Sequence, residues 1–325
     1  MPDNSEKSTR VAHPLSLSAL QVHVTSKLRH PKSTLFCLLC WYGFLVWLPA
    51  LIRPLWGSLV FKHGGAWGLT WKGALGINIF AQIFFNLLLL PVYATGCWDR
   101  YRCDPSKPWP WRSADADVRS RFWWTLARTL PLVAFNATVM AFLATWQTYP
   151  LATWLGALSA KVAAFPATAE LARGILLCLL VEDATFYTTH RLLHTPFLYK
   201  HVHSWHHAYT NVVGPASEHA HPFEYSIGNL LPVVVGPLLF KVHLYTWFSF
   251  LLVRVLVSID EHSGFTLPWS PVRLLPFGAT AEGHAWHHSH TDGMFASQFA
   301  WWDSLLGTDK AYLAWQEEWQ KDETE

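Results

Sequence analysis

The segment VEDATFYTTHRLLHTPFLYKHVHSWHH, residues 181–207, decides the fold, because it joins the end of an apolar stretch to two clusters of histidine. The clusters are HRLLH and HSWHH, and a third, HAWHH, begins at residue 284. On a helix, residues three and four apart project from the same face, so each cluster directs two or three imidazoles at one point. Three such clusters by chance are improbable. The eight histidines are His190, His194, His203, His206, His207, His284, His287 and His288.

Eight imidazoles are twice what one tetrahedral metal ion uses, so the pattern predicts two metal ions held side by side. The Thr195-Pro196 pair ends the first helix and suits the start of a second helix that carries HSWHH. The third cluster follows Gly283, far along the chain. A second pair of helices, joined as a hairpin, would bring it to the other two.

The composition is that of a membrane protein, with 51% hydrophobic and 14% charged residues among 325. Residues 34–52, 73–94 and 129–147 contain no charged residue or histidine, and each can cross about 30 Å of hydrocarbon. A fourth apolar stretch, about 171–189, leads into HRLLH. We therefore predict an all-α integral membrane bundle of about four transmembrane helices plus an apolar hairpin, with a cytosolic histidine-rich domain.

The hairpin is predicted from two apolar runs, 227–240 and 244–259, which lie between the second and third clusters. Prolines and charged residues break both runs, and fourteen residues are short for a full crossing. A re-entrant or interfacial hairpin is therefore expected.

Basic residues set the expected orientation. The first 33 residues and the loop after the second span are rich in Lys and Arg, so both are predicted to be cytosolic, and four spans return the histidines to that side. The first span is expected to stay as an anchor, because no signal-peptide pattern precedes it. The predicted regions are a tail at 1–33, a transmembrane region at 34–175, a catalytic region at 176–309 and a tail at 310–325.

Two acidic residues precede the first cluster. Asp183 lies seven and eleven residues before His190 and His194, at almost the same angle around a helix. Its carboxylate could hold the free ring nitrogen of a ligand histidine, or it could lie at the membrane boundary, and both interpretations stay open. Glu182 lies at a different angle around the helix, and its carboxylate is expected to lie at the membrane boundary.

The stretches around the clusters resemble the sterol desaturase and fatty acid hydroxylase superfamily, over about residues 181–309. They include VEDATFYTTHRLLH, SEHAHPFEY, SIDEHSGF and WWDSLLGTD. The resemblance implies a membrane-bound non-heme diiron oxygenase with two iron ions, which hydroxylates an unactivated C–H bond with O2. It also implies that His221 and His262 serve as further ligands or as active-site donors. Electrons would come from cytochrome b5 and its NAD(P)H-dependent reductase, in the endoplasmic reticulum membrane with the catalytic face cytosolic.

Within that superfamily the order of these stretches looks most like the C4-methylsterol monooxygenases, which implies a sterol substrate that enters from membrane lipid. A sterol 25-hydroxylase, a sterol C5-desaturase and a fatty acyl hydroxylase stay open as alternatives. QKDETE, at the end of the chain, is not the dilysine signal that many of these enzymes carry.

Other classes of protein lack their signatures in this chain. A zinc membrane protease needs an H-E-x-x-H helix, and a metal transporter needs polar ligands within its spans. A net charge of +2 gives no reason to expect a nucleic-acid partner, and no G-x-G-x-x-G dinucleotide motif is present. The five cysteines predict no disulfide, because two lie in a span and two in a loop assigned to the reducing cytosol.

Overall fold

The computed structural model describes residues 30–274 and 277–322, and among these residues it contains helices, turns and two isolated bridges but no strand. The predicted all-α class is thereby confirmed. Most of the predicted N-terminal tail, residues 1–29, lies outside the described residues, as do residues 323–325 of the C-terminal tail.

Three helices are long and apolar enough to cross a membrane: α1 (Pro31–Lys62), α2 (Gly65–Thr95) and α3 (Ala116–Leu155). Each contains one predicted span and extends beyond it. α1 and α3 each include one π-helical turn, and prolines lie inside α2 and α3. Such irregularities are tolerated in membrane helices because neighbouring groups satisfy the freed backbone atoms.

Only a turn joins the first two spans. α1 continues through Arg53 to Lys62, and α2 begins at Gly65, so both basic residues lie within a helix. The reversal uses Gly64 and Gly65, whose φ angles of 84° and 81° lie in the left-handed region.

The fourth predicted span forms α4 (Thr168–Leu193). The carboxylate of Glu170 accepts a hydrogen bond from the Ala167 N–H at its start. The Arg53 guanidinium in the second half of α1 donates to the Pro166 carbonyl, so α4 begins beside the far end of α1 and runs back toward the histidines. α4 is not one of the three helices that are long and apolar enough to cross a membrane, because charged residues interrupt it.

After the short helix α5 (Pro196–His201), the apolar hairpin consists of α6 (residues 222–239, with a π-helical turn) and α7 (Leu244–His262). Its tip meets the segment that follows α3: the Leu158 N–H donates to the Val242 carbonyl, and the Leu244 N–H to the Ser159 carbonyl. The hairpin therefore reaches the end of the bundle opposite the histidines. Neither helix of the hairpin is among the three that are long and apolar enough to cross a membrane, and the re-entrant or interfacial hairpin stays a prediction.

Glu182 does not lie at the membrane boundary as expected. It is fully buried, and its Oε1 atom lies 2.5 Å from Nε of Arg254 on α7. The pair joins α4 to α7 inside the bundle, where a buried carboxylate requires a partner. The Arg254 guanidinium also lies over the ring of Phe186, 5.0 Å from its centroid.

The chain closes over the histidine end with α8 (Ala281–His290), α9 (Trp301–Leu306) and α10 (Lys310–Asp322). The α2–α3 loop lies on the same end, because the Cys103 N–H donates to the Gly264 carbonyl. Tyr93, at the end of α2, donates to the Ser263 carbonyl and accepts from the Gly214 N–H. The basic α2–α3 loop and all three histidine clusters thus share one end of the molecule.

Candidate metal centre

Nine histidines form two adjacent groups, and within each group one ring nitrogen from every histidine lies within 4.8 Å of those from the others. The five-histidine group is His190, His194, His203, His207 and His287. The four-histidine group is His206, His262, His284 and His288. All eight histidines predicted from the sequence clusters are included, and the ninth is His262.

Four elements supply these side chains. α4 supplies the first cluster at its C-terminal end, α8 supplies the third, and His262 is the last residue of α7. The second cluster was expected on a regular helix, but α5 ends at His201 and the cluster forms a 3-10 helix, His203–Ala208. The backbone at Val202, with φ −129° and ψ −65°, interrupts the α-helix and separates the two turns.

The 3-10 turn divides the second cluster between the two groups. His203 and His206 lie three residues apart, nearly above one another in a 3-10 helix, and their rings stack at 5.4 Å with planes 23° apart. His203 belongs to the five-histidine group and His206 to the four-histidine group. One turn thereby joins the two candidate sites.

Most of the ligand rings are oriented by backbone carbonyls. A carbonyl only accepts, so the Nδ1 atom facing it carries the proton, and Nε2 of the neutral ring keeps its lone pair for a metal. These pairs are His190 with Phe295 (2.9 Å), His206 with His219 (3.3 Å), His262 with Ser258 (2.8 Å), His287 with Gly293 (2.6 Å) and His288 with Tyr209 (3.0 Å). His203 differs, because its Nδ1 lies 2.8 Å from the Glu224 carboxylate.

The Nε2 atoms converge within each group. Nε2 of His203 lies 3.0 Å from that of His194 and 3.2 Å from that of His207. Nε2 of His262 lies 3.0 Å from that of His284 and 3.3 Å from that of His288. Converging ring nitrogens, with the opposite nitrogen of five rings held by a backbone carbonyl, fit a divalent first-row transition metal in each group.

Burial keeps these imidazoles neutral, as metal binding requires. It lowers the pKa of His207 to about 3, with the nearby His190 adding to the shift. The pKa values of His206 and His288 are lowered well below the usual range, first by burial and then by neighbouring histidines. A proton therefore competes poorly for these nitrogens near neutral pH.

Asp183 does not hold a ligand ring. Its carboxylate accepts from the backbone N–H groups of Gln298 and Phe299 at 2.8 and 3.0 Å, and from the Trp301 indole at 2.9 Å. It therefore fixes the chain after α8, the segment whose Phe295 carbonyl orients His190. The contact with a ligand histidine, one of the two interpretations left open, is not made, because Asp183 on α4 faces that segment rather than the rings.

His221 lies outside both groups. Its Nδ1 accepts from the Phe223 N–H at the start of α6, and its ring packs edge-on against Trp205. The structure gives it a helix-capping contact, and a role in catalysis stays a prediction.

Two further acidic residues support the site and were not predicted. Asp303 accepts from the N–H groups of Phe295 and Ala296 at 2.8 and 2.9 Å, which holds the segment that orients two ligand rings. Glu224 contacts His203 directly. Both lie in stretches quoted for the resemblance, SEHAHPFEY and WWDSLLGTD, but nothing in their spacing indicates their partners.

Comparison with known proteins agrees with this geometry. The Fatty acid hydroxylase family model matches residues 175–308, which contain all nine histidines. Methylsterol monooxygenase 2-1 of Arabidopsis thaliana is 34% identical over 198 residues, covering 56% of this chain and 67% of the relative. No solved structure matches the chain significantly.

For two other relatives, the match covers a smaller share of the relative's own length. Very-long-chain aldehyde decarbonylase GL1-8 of Oryza sativa subsp. indica is 37% identical over 186 residues, 56% of this chain and 64% of the relative. Methylsterol monooxygenase 1 of Gallus gallus is 38% identical over 144 residues, 44% of this chain and 48% of the relative. This chain thus spans less than two thirds of the rice relative and about half of the chicken one.

Proposed function

Because the chain belongs to the fatty acid hydroxylase family, we propose that it is a membrane-bound non-heme diiron monooxygenase that acts on a lipid. The observation that carries the proposal is the pair of adjacent histidine groups, five and four rings, at one end of an apolar helical bundle. Neutral imidazole suits iron, copper, nickel and zinc alike, and iron is proposed because the family is iron-dependent.

Two iron ions would supply the electron-transfer chemistry for dioxygen. In the overall reaction a C–H bond and O2, with two electrons and two protons, give an alcohol and water. The protein's part is to hold nine neutral rings in fixed orientations and to exclude bulk water, since eight of the nine ligand histidines are buried. His194 alone is half-buried.

The lipid class of the substrate is supported by an open cavity of about 730 Å³ between α2 and α3, where lining side chains such as Leu87 and Leu130 are exposed. Its walls are nearly all apolar, as a site for a drug-sized or larger apolar ligand requires. Val213 and Pro215 form part of one wall, and they belong to the segment that leads from the second histidine cluster to Glu218. Thr129, on the same wall, bonds to Nδ1 of His219, whose carbonyl orients His206.

The hairpin itself offers much less space. α7 is almost wholly buried within the bundle, and α6 and α7 contribute to a cavity of only about 50 Å³. A sterol or an acyl chain would therefore be held between α2 and α3 rather than beneath residues 227–259.

We propose a C4-methyl group of a sterol precursor as the position oxidised. The support is the order of stretches around the histidines and the two relatives named methylsterol monooxygenase. A fatty acyl substrate is the second candidate, because the same cavity fits an acyl chain and a relative from Mycosarcoma maydis is named fatty acid hydroxylase ahd1.

Electrons are proposed to come from cytochrome b5 and its NAD(P)H-dependent reductase, in the endoplasmic reticulum membrane. The basic α2–α3 loop shares one end of the molecule with the histidines, which supports a cytosolic catalytic face by the positive-inside rule.

The test is turnover by the purified, iron-loaded full chain in lipid vesicles with cytochrome b5, its reductase, NADH and O2. Separate vesicles contain a 4,4-dimethylsterol or a very-long-chain acyl lipid, and products are identified by mass spectrometry. We expect the 4-carboxylate of the sterol, and none with the His284→Ala variant. Hydroxylation of the acyl lipid alone would transfer the assignment to the second candidate, and oxidation of neither lipid would contradict a monooxygenase of this kind.

A further inference from the structure

A small polar cavity of about 30 Å³ lies directly against both histidine groups. His190 and His203 of the five-histidine group line it, as do His206, His262 and His284 of the four-histidine group. A cavity needs about 10–15 Å³ of such space to hold one water molecule, so this one accommodates one or two. No lipid fits in it.

Charged side chains also line this cavity. Arg254 and Glu224 both line the cavity, and they are 8% and 4% exposed. Within the described residues, Nη1 of Arg254 has no hydrogen-bond acceptor and Oε2 of Glu224 has no donor. Nε of Arg254 contacts Glu182, and Oε1 of Glu224 lies 2.8 Å from Nδ1 of His203.

An unpaired buried donor and an unpaired buried acceptor each cost about 1–3 kcal/mol, more when charged, so folded proteins rarely leave them unsatisfied. One molecule that both accepts and donates a hydrogen bond would satisfy both. Water does this and fits the volume, whereas a second carboxylate would be repelled by Glu224 and by Glu261, which also lines the cavity.

We propose that Arg254 and Glu224 form a binding site for a single exchangeable water molecule between the two histidine groups, and that Arg254 is a positioning residue for whatever small molecule occupies it. The water site follows from the cavity and its unpaired groups alone. Its role beside the metals rests on the proposed function.

A purely structural role for Arg254 is the competing explanation, because the guanidinium also pairs with Glu182 and lies over Phe186. The two roles can be separated through Glu182, which touches the same guanidinium but does not line the cavity. Glu182→Gln weakens the structural contact and leaves the Nη1 atom in place. Arg254→Gln removes both the contact with Glu182 and the Nη1 atom, whereas Arg254→Lys keeps a charged donor.

The first measurement is a high-resolution structure of the wild-type full chain in lipid, with or without metal. We expect density for a water molecule within hydrogen-bond distance of Nη1 of Arg254 and Oε2 of Glu224. An empty cavity in a map that shows other buried waters would overturn the proposal, whatever the metal content or the activity.

The second measurement is the binding of azide, a small probe that accepts hydrogen bonds, to the iron-loaded protein, followed by its absorption band. A lost charge-assisted hydrogen bond is expected to weaken azide binding by about tenfold to a hundredfold in Arg254→Gln. Arg254→Lys should recover part of the loss, and Glu182→Gln should stay within about threefold of wild type. Equal losses in Glu182→Gln and Arg254→Gln at matched iron content would show a structural role and contradict positioning.

Discussion

The Nδ1 atom of His203 lies 2.8 Å from the Glu224 carboxylate, the only carboxylate contact that the described residues give to a ligand histidine. A carboxylate partner fixes the ring and raises its basicity toward a metal. We therefore expect Glu224→Gln to weaken metal retention by about tenfold to a hundredfold, the usual effect of losing such a partner. The measurement is metal release to a chelator, with Glu317→Gln as the control because Glu317 is exposed. Equal release by the two variants would contradict the role of Glu224.

Metal analysis should find two ions per chain in the wild-type protein, because there are two groups of converging rings. His284→Ala leaves three rings in its group and should reduce the content to about one, whereas His287→Ala leaves four rings and should retain more. Replacement of any of the eight histidines of the sequence clusters should abolish oxidation without preventing membrane insertion. His201→Ala is the matched control, since that histidine is exposed and outside both groups.

Asp183→Asn should lower metal retention by about tenfold, through the segment it holds rather than through a ligand ring. An amide can replace only part of a carboxylate that accepts from two backbone N–H groups and an indole. Trp301→Phe removes one of the three donors and should have a smaller effect. The metal content of both variants after dialysis tests the order, and a larger loss in Trp301→Phe would contradict it.

Gly293→Ala should destabilise the metal centre. Gly293 has a φ of 85°, a Cβ atom there would lie 2.1 Å from the Thr308 carbonyl, and its own carbonyl orients His287. The left-handed backbone alone costs about 1–2 kcal/mol, and the clash adds to it. We expect a lower unfolding temperature and a lower metal content. Gly76→Ala in α2 is the control, because its added methyl meets nothing within 4 Å and alanine favours a helix.

Glycosylation-site tagging tests the proposed orientation. An acceptor sequence placed near Ser289, beside the metal centre, should stay unmodified if that end is cytosolic. One placed near Ser159, at the hairpin tip on the opposite end of the bundle, should be glycosylated. The reverse pattern would place the metal centre in the lumen.

The sequence indicated that the eight cluster histidines converge, because helical spacing alone places those of the first and third clusters on common faces. His190 and His194 lie on one face of α4, and His284, His287 and His288 lie on α8, so helical periodicity is sufficient. The division of the second cluster was not predictable in the same way. It depends on a single backbone break at Val202 and a change to a 3-10 helix, which residue spacing does not reveal.

Long-range partners were the other part that the sequence did not show. Glu182 was assigned to the boundary because its partner, Arg254, is 72 positions away in the sequence. Asp183 was placed correctly on its helix, but the segment it binds folds back from beyond residue 290. Such contacts arise from the way the hairpin returns the chain, and one sequence without its fold does not specify them.

The orientation of five ligand rings by main-chain carbonyls has a consequence for how this centre can change. Every residue type carries a main-chain carbonyl, so side-chain substitutions at 209, 219 or 295 keep the acceptor. An alanine scan would therefore not detect the role of these carbonyls. A change in chain length, by contrast, would displace these carbonyls. Inserting or deleting one residue between 209 and 219 is therefore expected to rotate the rings of His206 and His288, and loop length rather than residue identity is the variable to alter when retuning this centre.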